Sequence, residues 1–182
     1  MESTTPTTSR RPLRVLFVCL GNIVRSPLAE ALFRHYVQQR GLTHKYTADS
    51  AGTGAWHVGE GPDPRMLRVA ARHGIRYDHR ARQFHPRDFE TFDLILVMDH
   101  DNWAHLMALA AGRPEFHRKI RFLREFDPQG GPRAEVPDPY YGGMEGFERV
   151  YEVIDRSVRG LLDALEEARV PLEGDASTEE DA

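Results

Sequence analysis

Short apolar runs alternate with amphipathic stretches through most of this chain, and few folds accept that alternation. The clearest run is Asp93-Leu94-Ile95-Leu96-Val97-Met98. Leu13-Arg14-Val15-Leu16-Phe17-Val18 is another, and residues 48–51 and 120–123 read as weaker strands. Helical patterns lie between them. One opens at Ser26-Pro27, places Leu28, Ala31, Leu32 and Tyr36 at helical spacing, and stops at Gly41. Residues 64–73 form a second, closed by Gly74, and residues 99–111 a third, closed by Gly112. A last stripe of Phe147, Val150, Tyr151, Ile154, Val158, Leu161, Leu162 and Leu165 predicts a helix over about 145–168. Strands alternating with helices bury both faces of a parallel sheet. The expected fold is α/β: a small doubly wound, four-stranded parallel sheet with helices on both faces. Ligands of such sheets bind beyond the carboxyl ends of the strands, and the first strand ends at Cys19.

The ends of the chain differ from its body. Residues 1–12 are rich in Thr, Ser, Pro and Arg and read as a flexible arm. Residues 169–182 read as an acidic, disordered tail, with Glu173, Asp175, Glu179, Glu180 and Asp181 near its end. That leaves one domain over 13–168. Setting those five acids aside leaves 23 acidic against 24 basic residues, a charge of +1. A near-neutral body is not built to grip nucleic acid nonspecifically, so no nucleic-acid partner is expected. No apolar stretch approaches the roughly 20 residues that cross a bilayer, and MESTTPTTSRR has no apolar core behind its charges. Neither a membrane partner nor a secretory leader is expected. Cys19 is the only cysteine. It excludes an intramolecular disulfide and a multi-cysteine zinc site, and a lone thiol fits a cytoplasmic, reducing setting.

The segment after the first strand carries the chemistry. It reads Cys19-Leu20-Gly21-Asn22-Ile23-Val24-Arg25-Ser26-Pro27. Gly21 and Asn22 tolerate left-handed backbone angles. A loop curling there aims successive N–H groups inward as an anion nest. The helix that follows adds its unpaired N–H groups and positive dipole end, and Pro27 suits a first helical position, where no N–H is needed. Arg25 supplies a planar fork matched to two phosphate oxygens. Leu20 to Ser26 is therefore the expected phosphate-binding loop. Cys19 lies at its base, where positive surroundings favour the thiolate, a good nucleophile for phosphorus. Ser26 is placed to donate a hydrogen bond to that sulfur. Alone, a cysteine at a strand end is more often a small buried hydrophobe; the surrounding Gly-Asn, Arg-Ser-Pro and strand–helix context argues for the enzyme.

Extended to Leu28-Ala29-Glu30, this segment resembles the signature of the low-molecular-weight protein tyrosine phosphatases. The resemblance covers about residues 13–165. It recurs at Asp49-Ser50-Ala51-Gly52-Thr53, Trp56-His57-Val58-Gly59, Pro62-Asp63-Pro64-Arg65, His79-Arg80-Ala81-Arg82-Gln83, Val97-Met98-Asp99 and Val136-Pro137-Asp138-Pro139-Tyr140-Tyr141-Gly142-Gly143. It implies a flavodoxin-like domain that hydrolyses phosphotyrosine in proteins through a cysteinyl-phosphate and releases inorganic phosphate. It also implies that Asn22, Ser50 and His79 hold the phosphate loop in shape by side-chain hydrogen bonds.

Expelling a phenolate needs a proton donor. Three Asp-Pro pairs are available, at Asp63, Asp127 and Asp138, and pattern alone does not choose among them. Asp138 is restricted by Pro137 and Pro139 and followed by Tyr140 and Tyr141, which with Trp56 suit the walls of an aryl-phosphate cleft. The resemblance makes Asp138 the general acid and then the general base. Asp99-His100-Asp101 hints at a metal site, but Ala104 stands where an EF-hand loop needs Gly, and neither metal nor cofactor is expected. Arginine phosphatases resemble the same family but tend to carry Thr at the position of Ile23. Arsenate reductases on the related scaffold need further cysteines. Family members often carry a second cysteine where this chain has Val24, so no resolving thiol is expected beside Cys19.

Overall fold

The computed structural model describes residues 11–170. Strand β1 (Leu13–Cys19) leads through a loop into α1 (Arg25–Gln39), followed by β2 (Tyr46–Gly52), α2 (Pro64–Arg72) and a single turn, α3 (Asp88–Thr91). Then come β3 (Leu94–Val97), α4 (His100–Leu109), the short α5 (Pro114–His117) and β4 (Ile120–Phe122). A 3₁₀ turn (Leu123–Phe126) and the long α6 (Met144–Glu166) complete the order. The four strands pair in the order β2-β1-β3-β4, and every pair is parallel. Among the described residues no helix is long and apolar enough to cross a membrane. Most of the arm and most of the acidic tail lie outside the described residues; of the parts inside, Arg11 binds both carboxylate oxygens of Asp93 at 2.8 and 2.7 Å, and Val170 is buried.

The period of two along β1 divides the core. Val15, Phe17 and Cys19 face a layer built from Leu28 and Leu32 of α1, Met66 and Val69 of α2, and Ile154, Val158 and Leu161 of α6. Leu16 and Val18 face the other layer, with Phe89, Leu106 and Phe116. Edge-to-face packing of Phe17 on Phe33 (5.7 Å between centroids) ties β1 to α1, and Phe89 stacks on Phe116 at 4.9 Å beneath the other face. Each such ring, fully buried, contributes about 1.5–3 kcal/mol over leaving it in water.

The helix ends follow the predicted glycines: Gly41, Gly74 and Gly112 all have positive φ, at 68°, 80° and 74°. The start of α1 differs from expectation. It begins at Arg25, so Pro27 is its third residue rather than its first. The missing N–H still costs nothing, because the first four N–H groups of a helix have no partner within it. Val24 caps this end without a side-chain bond, and the first turn holds no acidic residue. The remaining N–H groups and the positive end of the dipole are left facing the loop. The turns α3, α5 and 123–126 are absent from the sequence-based reading because four residues carry no measurable periodicity. Residues 127–143 form no helix or strand, as expected. The Val136 N–H donates to the Met98 carbonyl at 2.7 Å. This anchors the long loop over the carboxyl end of β3.

Candidate active site

Parallel pairing brings the ends of β1, β2 and β3 to one edge of the sheet, and the loop after β1 curls there. Asn22 has φ 57°, the left-handed turn anticipated at this position. Its N–H donates to Cys19 Sγ at 3.3 Å. The Asn22 side chain is buried and fully used. Nδ2 donates to Ser26 Oγ (2.8 Å) and Ser50 Oγ (3.0 Å), while Oδ1 accepts from His79 Nε2 and the Arg82 N–H, both at 2.9 Å. Because Oδ1 carries no hydrogen, Nε2 is the protonated nitrogen of His79. Ser50 passes its own hydrogen to Glu30 Oε1 at 2.7 Å. Ser26 Oγ receives the Asn22 amide and lies 3.0 Å from Cys19 Sγ and 3.5 Å from the Ala51 carbonyl oxygen, so its hydroxyl hydrogen has the sulfur within reach.

Three residues expected to support the loop, Asn22, Ser50 and His79, therefore form one network. Glu30 and the main chain of Arg82 complete it, and the sequence reading assigned neither. Both lie in the matched blocks, but nothing in a linear pattern indicates a carboxylate four residues beyond Ser26 or an amide 60 residues from Asn22. Glu30 Oε1 also lies 3.9 Å from His79 Nδ1. Burial lowers the His79 pKa, against its bond to Asn22, and burial raises that of Glu30, against the Ser50 hydroxyl.

Arg25 is 2% exposed and folds back over the loop. Its NH1 donates to Asp99 Oδ2 at 2.7 Å and to the Val136 carbonyl at 2.9 Å, and NH2 lies 3.5 Å from Asp138 Oδ2. Burial opposes the guanidinium charge, but the Cys19 sulfur, Asp99 and Asp138 outweigh it, and the net shift is upward. The sequence pattern makes Asp99 a helix start with a hint of metal. It is the N-cap of α4, reciprocally bonded with Asn102, and its other oxygen orients Arg25.

The three Asp-Pro pairs now separate. Asp63 caps α2 through the Arg65 N–H and is buried against the Arg65 side chain. Asp127 is buried between Arg124 (2.9 Å) and Arg156 (3.0 Å). Of the three, only Asp138 lines the cleft above the loop. That cleft has a volume of about 390 Å³, with Cys19, Arg25 and the loop residues Leu20, Gly21, Ile23 and Val24 at its base, and Trp56, His57, Tyr140 and Tyr141 also lining it. Trp56 and Tyr141 stand 72% and 97% exposed, and the Trp56 ring rests against Gly54. His57 is an addition to the expected cleft; its Nδ1 meets Glu60 at 3.0 Å and its ring lies 6.1 Å from that of Tyr140. Every residue expected at the site is thus in the cleft or in the network beneath it. Chemically, the arrangement offers a sulfur at the base of an anion cup, a guanidinium at its side and a carboxylate at its mouth.

Comparison with known proteins points the same way. Residues 14–170 match the family model described as low molecular weight phosphotyrosine protein phosphatase. A Streptomyces coelicolor low molecular weight protein-tyrosine-phosphatase is 49% identical over 155 residues, covering 85% of this chain and 94% of the relative. The low molecular weight phosphotyrosine protein phosphatase of Sus scrofa is 42% identical over 151 residues, covering 83% and 94%. Among solved structures, an Entamoeba histolytica protein tyrosine phosphatase with Hepes in the active site superposes with a TM-score of 0.81 at 40% identity, covering 86% of this chain and 99% of that one. A Drosophila arginine phosphatase superposes at 0.78 with 35% identity, covering 85% and 98%.

Proposed function

The chain belongs to the low-molecular-weight phosphotyrosine protein phosphatase family, and on that premise we propose that Cys19, Arg25 and Asp138 carry a two-step hydrolysis of phosphotyrosine monoesters in proteins. The dianion enters the cup and its equatorial oxygens meet the inward N–H groups of residues 20–26 and the Arg25 guanidinium. Cys19 Sγ attacks phosphorus in line with the phenolic oxygen. The P–S bond forms as the P–O bond breaks, and the Asp138 carboxyl gives its proton to the leaving tyrosine. The ionised carboxylate then takes a proton from a water that attacks the cysteinyl-phosphate. Inorganic phosphate and the Cys19 thiolate are released. The Ser26 hydroxyl, 3.0 Å from the sulfur, donates to it once it is anionic, before attack and on departure.

The observation that carries this reading is the convergence of sulfur, guanidinium and a single cleft-facing carboxylate, with Arg25 NH2 3.5 Å from Asp138. Trp56, Tyr140 and Tyr141 around the mouth favour an aromatic ester. Ile23 leaves an apolar side chain at the base of the cleft, which favours the aryl ester over phosphoarginine. The lone thiol supports a cytoplasmic, reducing setting.

Cys19→Ser is expected to abolish turnover of p-nitrophenyl phosphate. Asp138→Ala is expected to slow phenyl phosphate, whose leaving group is strongly basic, far more than p-nitrophenyl phosphate. Equal losses for both substrates would acquit Asp138. Comparing phosphotyrosine, phosphoserine and phosphoarginine peptides with the wild-type protein tests the substrate class. Faster release from phosphoarginine would reverse it.

A further inference from the structure

The cleft is built from two segments far apart in the chain: the phosphate loop at 19–26 and the acid loop around 138. In-line transfer requires the sulfur and the carboxyl to sit on opposite sides of phosphorus, so the spacing of these segments matters as much as either alone. Arg25 reaches the acid loop from within the cleft, at the Val136 carbonyl and Asp138; a second side chain, Arg65, ties the two segments together from outside it. The Asp63 N–H donates to the Ile23 carbonyl of the phosphate loop at 2.9 Å. The Asp63 carboxylate holds Arg65 in a two-oxygen clamp, Nε to Oδ1 at 3.1 Å and NH2 to Oδ2 at 2.8 Å. The third guanidinium nitrogen, NH1, donates to the Tyr140 carbonyl at 2.9 Å. The Tyr140 N–H in turn donates to Asp138 Oδ1 at 3.1 Å. The guanidinium also lies over the rings of Tyr140 and Phe147, 5.1 and 4.5 Å from their centroids. It therefore fixes the loop through its plane as well as its edge.

We propose that Arg65 is a positioning residue that sets the Asp138 carboxyl at its working distance from the Cys19 loop. This rests on the assignment of Asp138 as the general acid. Arg65 does not line the cleft, so it acts on proton delivery through Tyr140 and has no contact with phosphate. Asp63 is buried and anchored to the phosphate loop, so the clamp is rigid at that end. Asp138 is exposed, and its side chain is restrained at one oxygen by the Tyr140 N–H and faced at the other by Arg25. Only a planar fork spans Asp63 and Tyr140 at once.

The test is kcat/KM of the full chain for phenyl phosphate and p-nitrophenyl phosphate in four forms: wild type, Arg65→Gln, Asp138→Ala and the double variant. Arg65→Gln is expected to lower kcat/KM about tenfold for phenyl phosphate and less than about twofold for p-nitrophenyl phosphate, a loss within the range of small misplacements at a reacting centre. In the Asp138→Ala background the same change is expected to add nothing. Arg65→Lys keeps the charge without the fork and is expected to fall between wild type and Arg65→Gln; it also serves if the Gln variant fails to fold. Equal losses for both esters, full activity of Arg65→Lys, or additive losses in the double variant would overturn the proposal. A lack of leaving-group dependence in Asp138→Ala itself would instead remove the acid assignment on which it stands.

Discussion

Gly52→Ala tests how tightly the phosphate loop is seated. Gly52 ends β2 directly behind the loop, and a Cβ there would lie 2.7 Å from the Leu20 carbonyl oxygen and 3.1 Å from the Asn22 nitrogen. The first contact is about 0.7 Å short of ordinary van der Waals separation. Its φ is outside the left-handed region, so the effect is one of space and not of backbone strain. Neither neighbour is the free end of a side chain. The Leu20 oxygen also accepts from the Gly54 N–H at 2.9 Å, and the Asn22 N–H points at Cys19 Sγ. Nor can the strand retreat freely, since Gly52 donates to the Arg82 carbonyl at 2.9 Å and accepts from the Phe84 N–H at 2.7 Å. The loop therefore takes up most of the displacement. A shift approaching 1 Å at the reacting centre costs up to about 10² in rate, and overpacking of this kind costs ~1–3 kcal/mol of stability. The assay is kcat/KM for p-nitrophenyl phosphate, with thermal unfolding in parallel. The expected result is a loss of about 10- to 100-fold with a lower Tm. Gly131→Ala, where a Cβ meets nothing within 4 Å, is the control and is expected to change neither. Gly52→Ala enzyme within about twofold of wild type would refute the argument that this strand end dictates the loop's position.

Three other outcomes are expected. A Cβ at Gly160 in α6 would lie 1.9 Å from the Phe126 carbonyl oxygen, so Gly160→Ala should lower the urea midpoint by ~1–3 kcal/mol in stability despite its better helix propensity; it lines no part of the cleft and kcat should hold, while a stabilised variant would contradict the packing. Burial pushes the Asp127 carboxyl up, but bonds from Arg156, the Gln129 N–H and Arg124 outweigh it and hold it below the usual range; its contribution is present above the unfolded value of about 3.9 and fades as pH falls through the lower folded value. The stability gap between wild type and Asp127→Asn should therefore narrow as urea titrations move from pH 5 to below about pH 3, and a constant gap would refute the linkage. With Val24 where a resolving cysteine would stand, prolonged peroxide treatment should carry Cys19 past sulfenic acid, and dithiothreitol should recover little activity; Val24→Cys should recover more, and full recovery of the wild type would contradict this.

The alternation of strands and helices was legible because both faces of the sheet are buried, which forces continuous apolar runs at 15–18 and 94–98 and a stripe along α6. The loop of the proposed nucleophile was legible for a different reason. Its chemistry is local: Cys19, Asn22, Arg25 and Ser26 lie within eight consecutive residues, and the backbone that joins a strand end to a helix start brings them together. The start of α1 lies two residues earlier than Pro27 suggests, because Val24 provides no capping side chain to mark it.

The proposed acid is harder to read because its surroundings are set by distant partners. Asp63, Asp127 and Asp138 are each followed by proline, and the chain offers each a way to be used. Asp63 is taken by Arg65, two residues along, and Asp127 by Arg124 and by Arg156 from α6. The arginine nearest Asp138 in sequence, Arg133, lies over the Trp103 ring instead. The one that reaches Asp138 is Arg25, 113 positions earlier and already committed to Asp99 and the Val136 carbonyl. A carboxylate bound between two dedicated arginines is held ionised and cannot shed and regain a proton near neutral pH. Asp138 instead shares a guanidinium with other acceptors, at 3.5 Å, and is open to the solvent of the cleft. The difference among three similar dipeptides thus rests on which arginines the fold brings to each carboxylate, and that information lies in the packing of α6 and the long loop rather than in any stretch of sequence around the aspartates.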